Sequence, residues 1–329
     1  MGSETVGRIV IEKNGGPEEL HWQQVELGEP GPNEVRVRHT AVGMNFIDVY
    51  FRTGLYAGSG FPLPLGSEAA GVVEAVGSGV TELRVGDRVA YGSGPLGAYS
   101  EARLISAHHV VRVPDGIADD VAAAIMLKGM TAEYLLHRTV TVHAGDTVLV
   151  HAAAGGVGLL LCQWAKHLGV RVLGTVGNDE KAALALAHGC DASIVYGRED
   201  VAKHVRELTS GKGVRVVYDS VGKDTFQASL DSLAPRGMLV LFGQSSGKVA
   251  PFDPQLLAAK GSLFFTRPTL GHYIATRAEL VESAGRVFAA VAEGTLKINI
   301  GQRFALKDAA KAHTELEARR TTGATVLSP

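Results

Sequence analysis

The run Val148-Leu149-Val150-His151-Ala152-Ala153-Ala154-Gly155-Gly156-Val157-Gly158 constrains this chain more than any other segment. An apolar strand enters a loop of small residues, and an apolar helix leaves it. Gly155 and Gly158 match the second and third glycines of a dinucleotide fingerprint. The second lets main chain approach a pyrophosphate, and the third lets helix and strand pack closely. Ala153 stands at the first glycine position, a mild departure because alanine is still small. The helix N-terminus offers unpaired N–H groups and partial positive charge to phosphate oxygens.

The surroundings fit that junction. Strands read over Thr147–His151, Arg171–Val176, Ser193–Tyr196, Val214–Asp219 and Met238–Phe242. Helices read between them over Val157–Leu168, Glu180–His188, Val201–Thr209 and Thr225–Leu233. This alternation predicts βαβ units and a parallel sheet covered on both faces. Leu263–Thr266 reads as a last strand. Residues before 114 read differently, as short strands at Gly7–Glu12, Glu34–His39, Val72–Val76 and Asp87–Tyr91 separated by glycine turns. That pattern suggests a barrel or sandwich. Helices are expected over Ala118–Arg138, Arg277–Ala292 and Lys307–Arg319, with a strand at Ala324–Leu327. The chain is therefore α/β and, at 329 residues, long enough for two domains.

Composition narrows the function classes. Glycine is the outlier, 41 of 329 residues, against a usual ~7%. A net charge of -2 gives no electrostatic footprint for nucleic acid or an anionic membrane. No apolar run approaches the ~18 residues of a membrane span. The N-terminal Met-Gly-Ser-Glu-Thr lacks a signal-peptide pattern. A soluble, cytoplasmic protein is expected. The two cysteines, Cys162 and Cys190, read as buried small hydrophobes, and two thiols cannot build a structural zinc site.

The end of the second strand of the alternating region separates cofactors. NAD-binding folds place Asp or Glu there to hold the ribose hydroxyls. This chain has Gly174-Thr175-Val176-Gly177-Asn178, so Gly177 leaves room for a 2′-phosphate that a carboxylate would repel. Lys181 follows within one helical turn, and Tyr196 ends the third strand beside it. One charge-assisted contact is worth about 1.5–3 kcal/mol, a roughly ten- to hundredfold preference for NADPH. Asp179 and Glu180 oppose this reading unless they face solvent.

Taken in order, several motifs resemble the medium-chain dehydrogenase/reductase superfamily, and within it the zinc-free, zeta-crystallin-like quinone oxidoreductases. They are Gly43-Met44-Asn45-Phe46-Ile47-Asp48, Gly66-Ser67-Glu68-Ala69-Ala70-Gly71, Val85-Gly86-Asp87-Arg88-Val89 and Leu127-Lys128-Gly129-Met130-Thr131-Ala132. The loop at 151–158, Val217-Tyr218-Asp219-Ser220-Val221-Gly222 and Phe242-Gly243-Gln244-Ser245-Ser246-Gly247 continue them. The resemblance implies a GroES-like catalytic domain over 1–124 and 267–329, with a Rossmann domain over 125–266 inserted in it. It implies NADPH-dependent reduction of a small-molecule quinone. Zinc-dependent relatives place His before Glu in a Gly-His-Glu motif; Ser67 stands there, and Gly43-Met44-Asn45 replaces the cysteine ligand. Metal-free chemistry is the expectation.

By the same resemblance, Asn45, Asp48, Tyr50, Arg52 and Tyr56 line the acceptor side near the nicotinamide. Asn45 would hydrogen-bond the carboxamide or a quinone oxygen, and Tyr50 or Tyr56 would donate to a developing oxyanion or stack on the ring. Lys128 and Thr131 would contact the cofactor. Gly155, Gly156, Val157 and Gly158 would hold the pyrophosphate, and Gly177, Lys181 and Tyr196 the adenosine phosphate. Phe242, Gly243, Gln244 and Ser245 would lie beside the nicotinamide, with Arg267 and Arg319 neutralising phosphates.

Three other functions compete. The scaffold would equally serve to reduce the C=C bond of an enal or enone, or bind NADPH for a structural or regulatory purpose. Gly243-Gln244-Ser245-Ser246-Gly247 also matches the G-x-S-x-G elbow of serine hydrolases, but that motif needs a helix after the serine, and Pro251 and Pro254 oppose one. The resemblance also implies a homodimer through the Rossmann sheet edge, and Gly261-Ser262-Leu263-Phe264-Phe265-Thr266 would be an exposed apolar edge in a monomer that such pairing would cover.

Overall fold

Short alternating runs of valine and alanine in the first third of the chain build antiparallel sheets around Ile9, Val35, Val37, Leu65 and Val73, all buried. The structure, a computed structural model, describes residues 4–329. Met1, Gly2 and Ser3, the start of the stretch without a signal-peptide pattern, lie outside the described residues. The elements here are β1 (Glu4–Ile11), β2 (His21–Leu27), β3 (Glu34–Met44), α1 (Phe46–Arg52), β4 (Leu63–Pro64), β5 (Glu68–Val76), β6 (Arg88–Tyr91), β7 (Ala102–Ser106), β8 (Val111–Arg112) and α2 (Asp119–Tyr134).

The alternating region then gives β9 (Thr147–Val150), α3 (Gly156–His167), β10 (Arg171–Val176), α4 (Asp179–Ala187), β11 (Ala192–Val195), α5 (Val201–Leu208), β12 (Val214–Asp219), α6 (Phe226–Ser232), β13 (Leu233–Leu241), α7 (Gln255–Ala259), β14 (Phe264–Thr266) and α8 (Leu270–Tyr273). Its six strands form one sheet in the order β11-β10-β9-β12-β13-β14, every pair parallel. That is the doubly wound order, with the topological switch between β9 and β12. The core is aliphatic, with Leu149, Leu173, Val217 and Leu239 buried at its centre. The chain returns through α9 (Arg277–Ala292), β15 (Ile300–Ala305), α10 (Ala309–Glu317) and β16 (Ala324–Ser328). β16 pairs with β3 and closes the order β15-β16-β3-β5-β6-β8, with β7 also on β3. A smaller sheet has the order β2-β1-β4.

The fold is thus the expected GroES-like, β-rich part plus a Rossmann sheet. Two compact units result: Met1–Met130 with Ile274–Glu293 and Ile298–Pro329, and Thr131–Tyr273 with Gly294–Lys297. The expected divisions at 124 and 266 fall inside α2 and at the end of β14. Several elements differ from expectation. Helix α2 gives way to a π turn at Leu135–Thr139, where Tyr218 donates to the Leu135 carbonyl at 3.2 Å. Strand β13 starts at Leu233 rather than Met238, and Arg236 takes a left-handed φ of 62° within it. Cys162 and Cys190 are buried free thiols whose sulfurs lie 3.3 Å apart. Among the described residues no helix is long and apolar enough to cross a membrane.

Two enclosed histidines tie stability of the first unit to pH. His39 sits between the Ser100 carbonyl, 2.7 Å from Nδ1, and the Tyr91 hydroxyl, 2.9 Å from Nε2. His313 on α10 lies 3.1 Å from the Tyr99 hydroxyl. Burial takes both from 6.5 down to about 3. Unfolded histidines gain protons below about 6.5 while the folded ones stay neutral, so stability is lost as pH falls from there toward 3. Each histidine contributes at most about 1.4 kcal/mol per pH unit. Asp48, raised by burial from 3.8 to about 6, opposes one of them in the interval between those values. Urea unfolding should therefore show a midpoint that falls on acidification, with a shallower fall in His39→Gln. Equal slopes for the two proteins would contradict this.

Candidate functional site

At the switch point of the parallel sheet, β9 ends at Val150 and the chain turns through Ala152, which takes a left-handed φ of 53°. The tight turn thus falls on Ala152 rather than on Ala153, which is fully buried and donates its N–H to Thr175 O at 3.0 Å. Gly155 caps α3 without a side-chain hydrogen bond, so the first N–H groups of the helix are not covered by a capping side chain. A Cβ at Gly158 would run into the carbonyls of Ala152 and Ala153, so only glycine lets α3 lie this close to the loop. Gly155, Gly156 and Val157 are half-buried along the same turn.

A buried polar network holds the strand ends beneath this loop. His151 Nδ1 lies 2.9 Å from Thr175 Oγ1 and its Nε2 2.9 Å from Ser229 Oγ. Ser229 donates to Asp219 Oδ2 at 2.8 Å, and Thr225 donates to the same oxygen at 2.7 Å. Asp219 Oδ1 accepts from the N–H groups of Val221 and Gly222 at 2.8 and 3.0 Å. The ends of β9, β10 and β12 are thereby fastened together. Phe242 and Gly243 run along this segment, both donating N–H to Asp219 O, and Ser245 donates to Ser220 O. Gln244 is half-buried in the same loop. No helix follows Ser245, so the hydrolase elbow is not formed.

At the end of β10, Gly177 is exposed, and a Cβ there would meet the Tyr196 hydroxyl at 3.0 Å. Asn178 caps α4, accepting from the Lys181 N–H at 2.9 Å, which sets Lys181 one turn into the helix. Asp179 faces solvent and is held by Arg198 through two hydrogen bonds, one of 2.9 Å. Its charge is therefore paired with a guanidinium. Arg267 is exposed just after β14, with Nη1 donating to Pro268 O at 3.0 Å. Arg319 is exposed in the first unit, beyond α10, with a left-handed φ of 59°.

The first unit holds the residues expected on the acceptor side. Asn45 and Asp48 cap α1 reciprocally, and the Asn45 N–H donates to Asp48 Oδ2 at 2.9 Å. Asn45 Nδ2 donates to Glu68 Oε2 at 2.8 Å, and Lys128 Nζ lies 2.6 Å from the same oxygen. Glu68 Oε1 accepts the Leu127 N–H at 2.7 Å, so the carboxylate is enclosed but saturated. Asp48 Oδ1 accepts from Ser67 Oγ at 2.8 Å, and Oδ2 from Tyr99 OH at 2.9 Å. Burial is the main cause of its rise to about 6, opposed by these three donors and by Lys128. Tyr50 is buried, and Tyr56 half-buried, with their rings edge to face at 5.1 Å. Arg52 is enclosed, and its Nη2 lies 2.5 Å from Glu317 Oε1 on α10. Thr131 is buried near the end of α2.

Sequence reasoning assigned no role to Glu68, Tyr99, His313 or the His151–Asp219 network. Glu68, His151 and Asp219 lie inside the family motifs, where charged or imidazole groups among small and apolar residues were the available signal. A pyrophosphate fits the bare start of α3. A zinc ion does not fit: Ser67 and Asn45 offer neither imidazole nor thiolate, and both thiols are packed against each other in the second unit. Among the described residues no cluster of three or more His, Cys, Asp or Glu is arranged to hold a metal.

Comparison with known proteins agrees with this architecture. Residues 31–115 match the alcohol dehydrogenase GroES-like domain family, and residues 156–284 the zinc-binding dehydrogenase family. The chain is 56% identical to a quinone oxidoreductase of Pseudomonas aeruginosa over 98% of its own length and 99% of the relative's. It is 50% identical to a 2-haloacrylate reductase of a Burkholderia species, over 97% and 98% of the two lengths. The solved structure of Escherichia coli quinone oxidoreductase complexed with NADPH superposes with a TM-score of 0.97 at 47% identity, covering 99% and 100% of the two chains.

Gly158→Ala should weaken NADPH binding about tenfold or more, because the methyl displaces α3 from its loop. Fluorescence titration of the nucleotide checks this, and unchanged affinity would contradict it.

Proposed function

The chain belongs to the quinone oxidoreductase branch of the medium-chain dehydrogenase/reductase superfamily, and from that membership we propose that it uses NADPH to reduce quinones without a metal ion. Gly177 carries the cofactor choice: it brings no side chain to the end of β10, where a Cβ would meet the Tyr196 hydroxyl at 3.0 Å, and Asp179 is paired with Arg198. NADPH supplies the hydride when bound, and the protein orients the partners and handles charge.

In this reading the N–H groups of Gly156, Val157 and Gly158 receive the pyrophosphate, and Gly155, whose own N–H donates to Ala152 O at 2.9 Å, lets the main chain come close to it. Lys181 and Tyr196 receive the 2′-phosphate beside Gly177, with Arg267 and Arg319 adding positive charge. Main chain at Phe242, Gly243, Gln244 and Ser245 flanks the nicotinamide, and Lys128 and Thr131 complete the cofactor side. Asn45 holds the carboxamide or a quinone oxygen, and Tyr50 and Tyr56 form the aromatic wall for the acceptor ring. Arg52, through Glu317, anchors α1 against α10, so it acts on the acceptor residues by positioning them. A quinone suits a site without a Lewis acid, because the hydroquinone anion is stabilised by its own ring. Reduction of an activated C=C bond is the second reading, favoured by the likeness to a 2-haloacrylate reductase.

The enzyme works in the cytoplasm as a homodimer in this account. Phe264 on β14, the last strand of the parallel sheet, is 55% exposed, and pairing of two such edges would cover it. Sedimentation should give twice the chain mass, and Phe264→Lys should shift it toward the monomer; a monomeric wild type would sink this assembly.

Steady-state turnover with 1,4-benzoquinone and with a 2-haloacrylate, each with NADPH and NADH, tests the function. Higher kcat/KM for NADPH and quinone is expected. Gly177→Asp should cut the preference for NADPH about tenfold or more through repulsion of the 2′-phosphate. A wild type that prefers NADH overturns the cofactor assignment, and turnover confined to the haloacrylate moves the activity to alkene reduction.

A further inference from the structure

Reduction of a quinone adds two electrons and two protons, and a hydride carries both electrons and one of the protons. One proton remains to be supplied to the oxyanion. We infer that the Ser67 hydroxyl, recharged by the Asp48 carboxyl behind it, delivers that proton; this rests on the quinone reductase reading above.

Ser67 is half-buried, whereas Asp48 behind it is fully enclosed. The serine is therefore the exposed end of a hydrogen-bonded line running from Ser67 Oγ to Asp48 Oδ1 at 2.8 Å, and from Asp48 Oδ2 to Tyr99 OH at 2.9 Å. The line ends at His313 Nε2, 3.1 Å from the same hydroxyl. Asn45, expected at the acceptor, fixes the other side of Asp48 through its N–H. The acid form of Asp48 donates to Ser67 Oγ, which turns the serine O–H outward. As the oxyanion develops, the Ser67 O–H bond breaks and an O–H bond forms on the quinone oxygen. The Asp48 proton moves to Ser67 in the same event, leaving a carboxylate that accepts from Asn45 N–H, Tyr99 O–H and Ser67 O–H. After the hydroquinone leaves, solvent returns one proton to Asp48 through Ser67. Electrons and protons then balance, with no co-reactant beyond the reduced nucleotide and water.

Burial keeps the acid form accessible, holding Asp48 at about 6. The charged and titratable groups around it come from every neighbouring element. They are Glu68 of β5, Lys128 of α2, Tyr99, His313 of α10 and Arg52 of α1 itself. His313 stays neutral to about 3, and the Lys128 charge is met by Glu68. Asp48 is therefore the member of the line that titrates near neutral pH.

The test compares wild type, Ser67→Ala and Ser67→Thr in single-turnover NADPH oxidation by 1,4-benzoquinone, in H2O and D2O, from about pH 5 to about pH 8. Infrared spectroscopy of the same proteins follows the Asp48 carboxyl over that range, with Asp48→Asn identifying its band. Ser67→Ala should slow reduction about tenfold or more, with the solvent isotope effect and the pH dependence near 6 lost. Its NADPH affinity should be unchanged, and Ser67→Thr should restore the rate. The infrared midpoint should rise in Ser67→Ala, because a donor to the carboxylate is gone. Full rate and an unaltered pH profile in Ser67→Ala, or an unmoved carboxyl midpoint, overturn the proton path. A wild type that leaves quinone unreduced fails the function itself, whereas a wild type that reduces it while Ser67→Ala does so equally fails this path alone.

Discussion

The nucleotide-binding end of the second unit depends on one close approach, that of α3 to the loop leaving β9. Gly158 permits it, because any Cβ there would strike the Ala152 carbonyl. The approach aims the uncapped start of α3 at the switch point between β9 and β12, where a parallel sheet of this order leaves a crevice for ligand. The polar network under the loop serves the same end. His151, Thr175, Ser229, Thr225 and Asp219 satisfy one another away from water, so the strand ends are fastened without an unpaired group among the contacts they share. Loss of one member would leave the others buried and unsatisfied, which costs more than the bond itself contributes.

The first unit uses enclosed charge in a different way. Glu68 and Lys128 form a buried pair, and such pairs are weak evidence for stability because desolvation offsets their attraction. Their effect here is positional. Glu68 also accepts from Asn45 and from the Leu127 main chain, so one carboxylate fixes the start of α1 to the middle of α2. Asp48 sits within that frame, and its three donors are too few to bring a fully buried carboxyl back to its ordinary range. The same burial that sets α1 in place thus produces a carboxyl able to change protonation near neutral pH.

Legibility in the sequence followed the range of the interactions. The parallel strands were readable because Val148–Val150 and Val216–Tyr218 are buried on both faces and form continuous apolar runs. Strand β2, His-Trp-Gln-Gln-Val-Glu-Leu, escaped because it is partly exposed throughout and its side chains carry no clear period. Helix α1 has seven residues, too few to show a helical period, although the Asn45 and Asp48 spacing was a capping signal. The 151–158 turn was readable because strand, glycine turn and helix follow one another within one short window. The line behind Asp48 was not, since Tyr99 lies 51 residues from Asp48 and His313 214 residues from Tyr99. No window of sequence holds both ends of such a bond.

Metal-free reduction is the claim on which the proposed chemistry rests, because Ser67 and Asn45 bring neither imidazole nor thiolate to the proposed acceptor side. The most direct measurement is stopped-flow oxidation of NADPH by a quinone with enzyme stripped by chelator, its metal content determined by mass spectrometry. The account predicts an undiminished rate at negligible metal content. A rate lost on stripping and restored by zinc would contradict it.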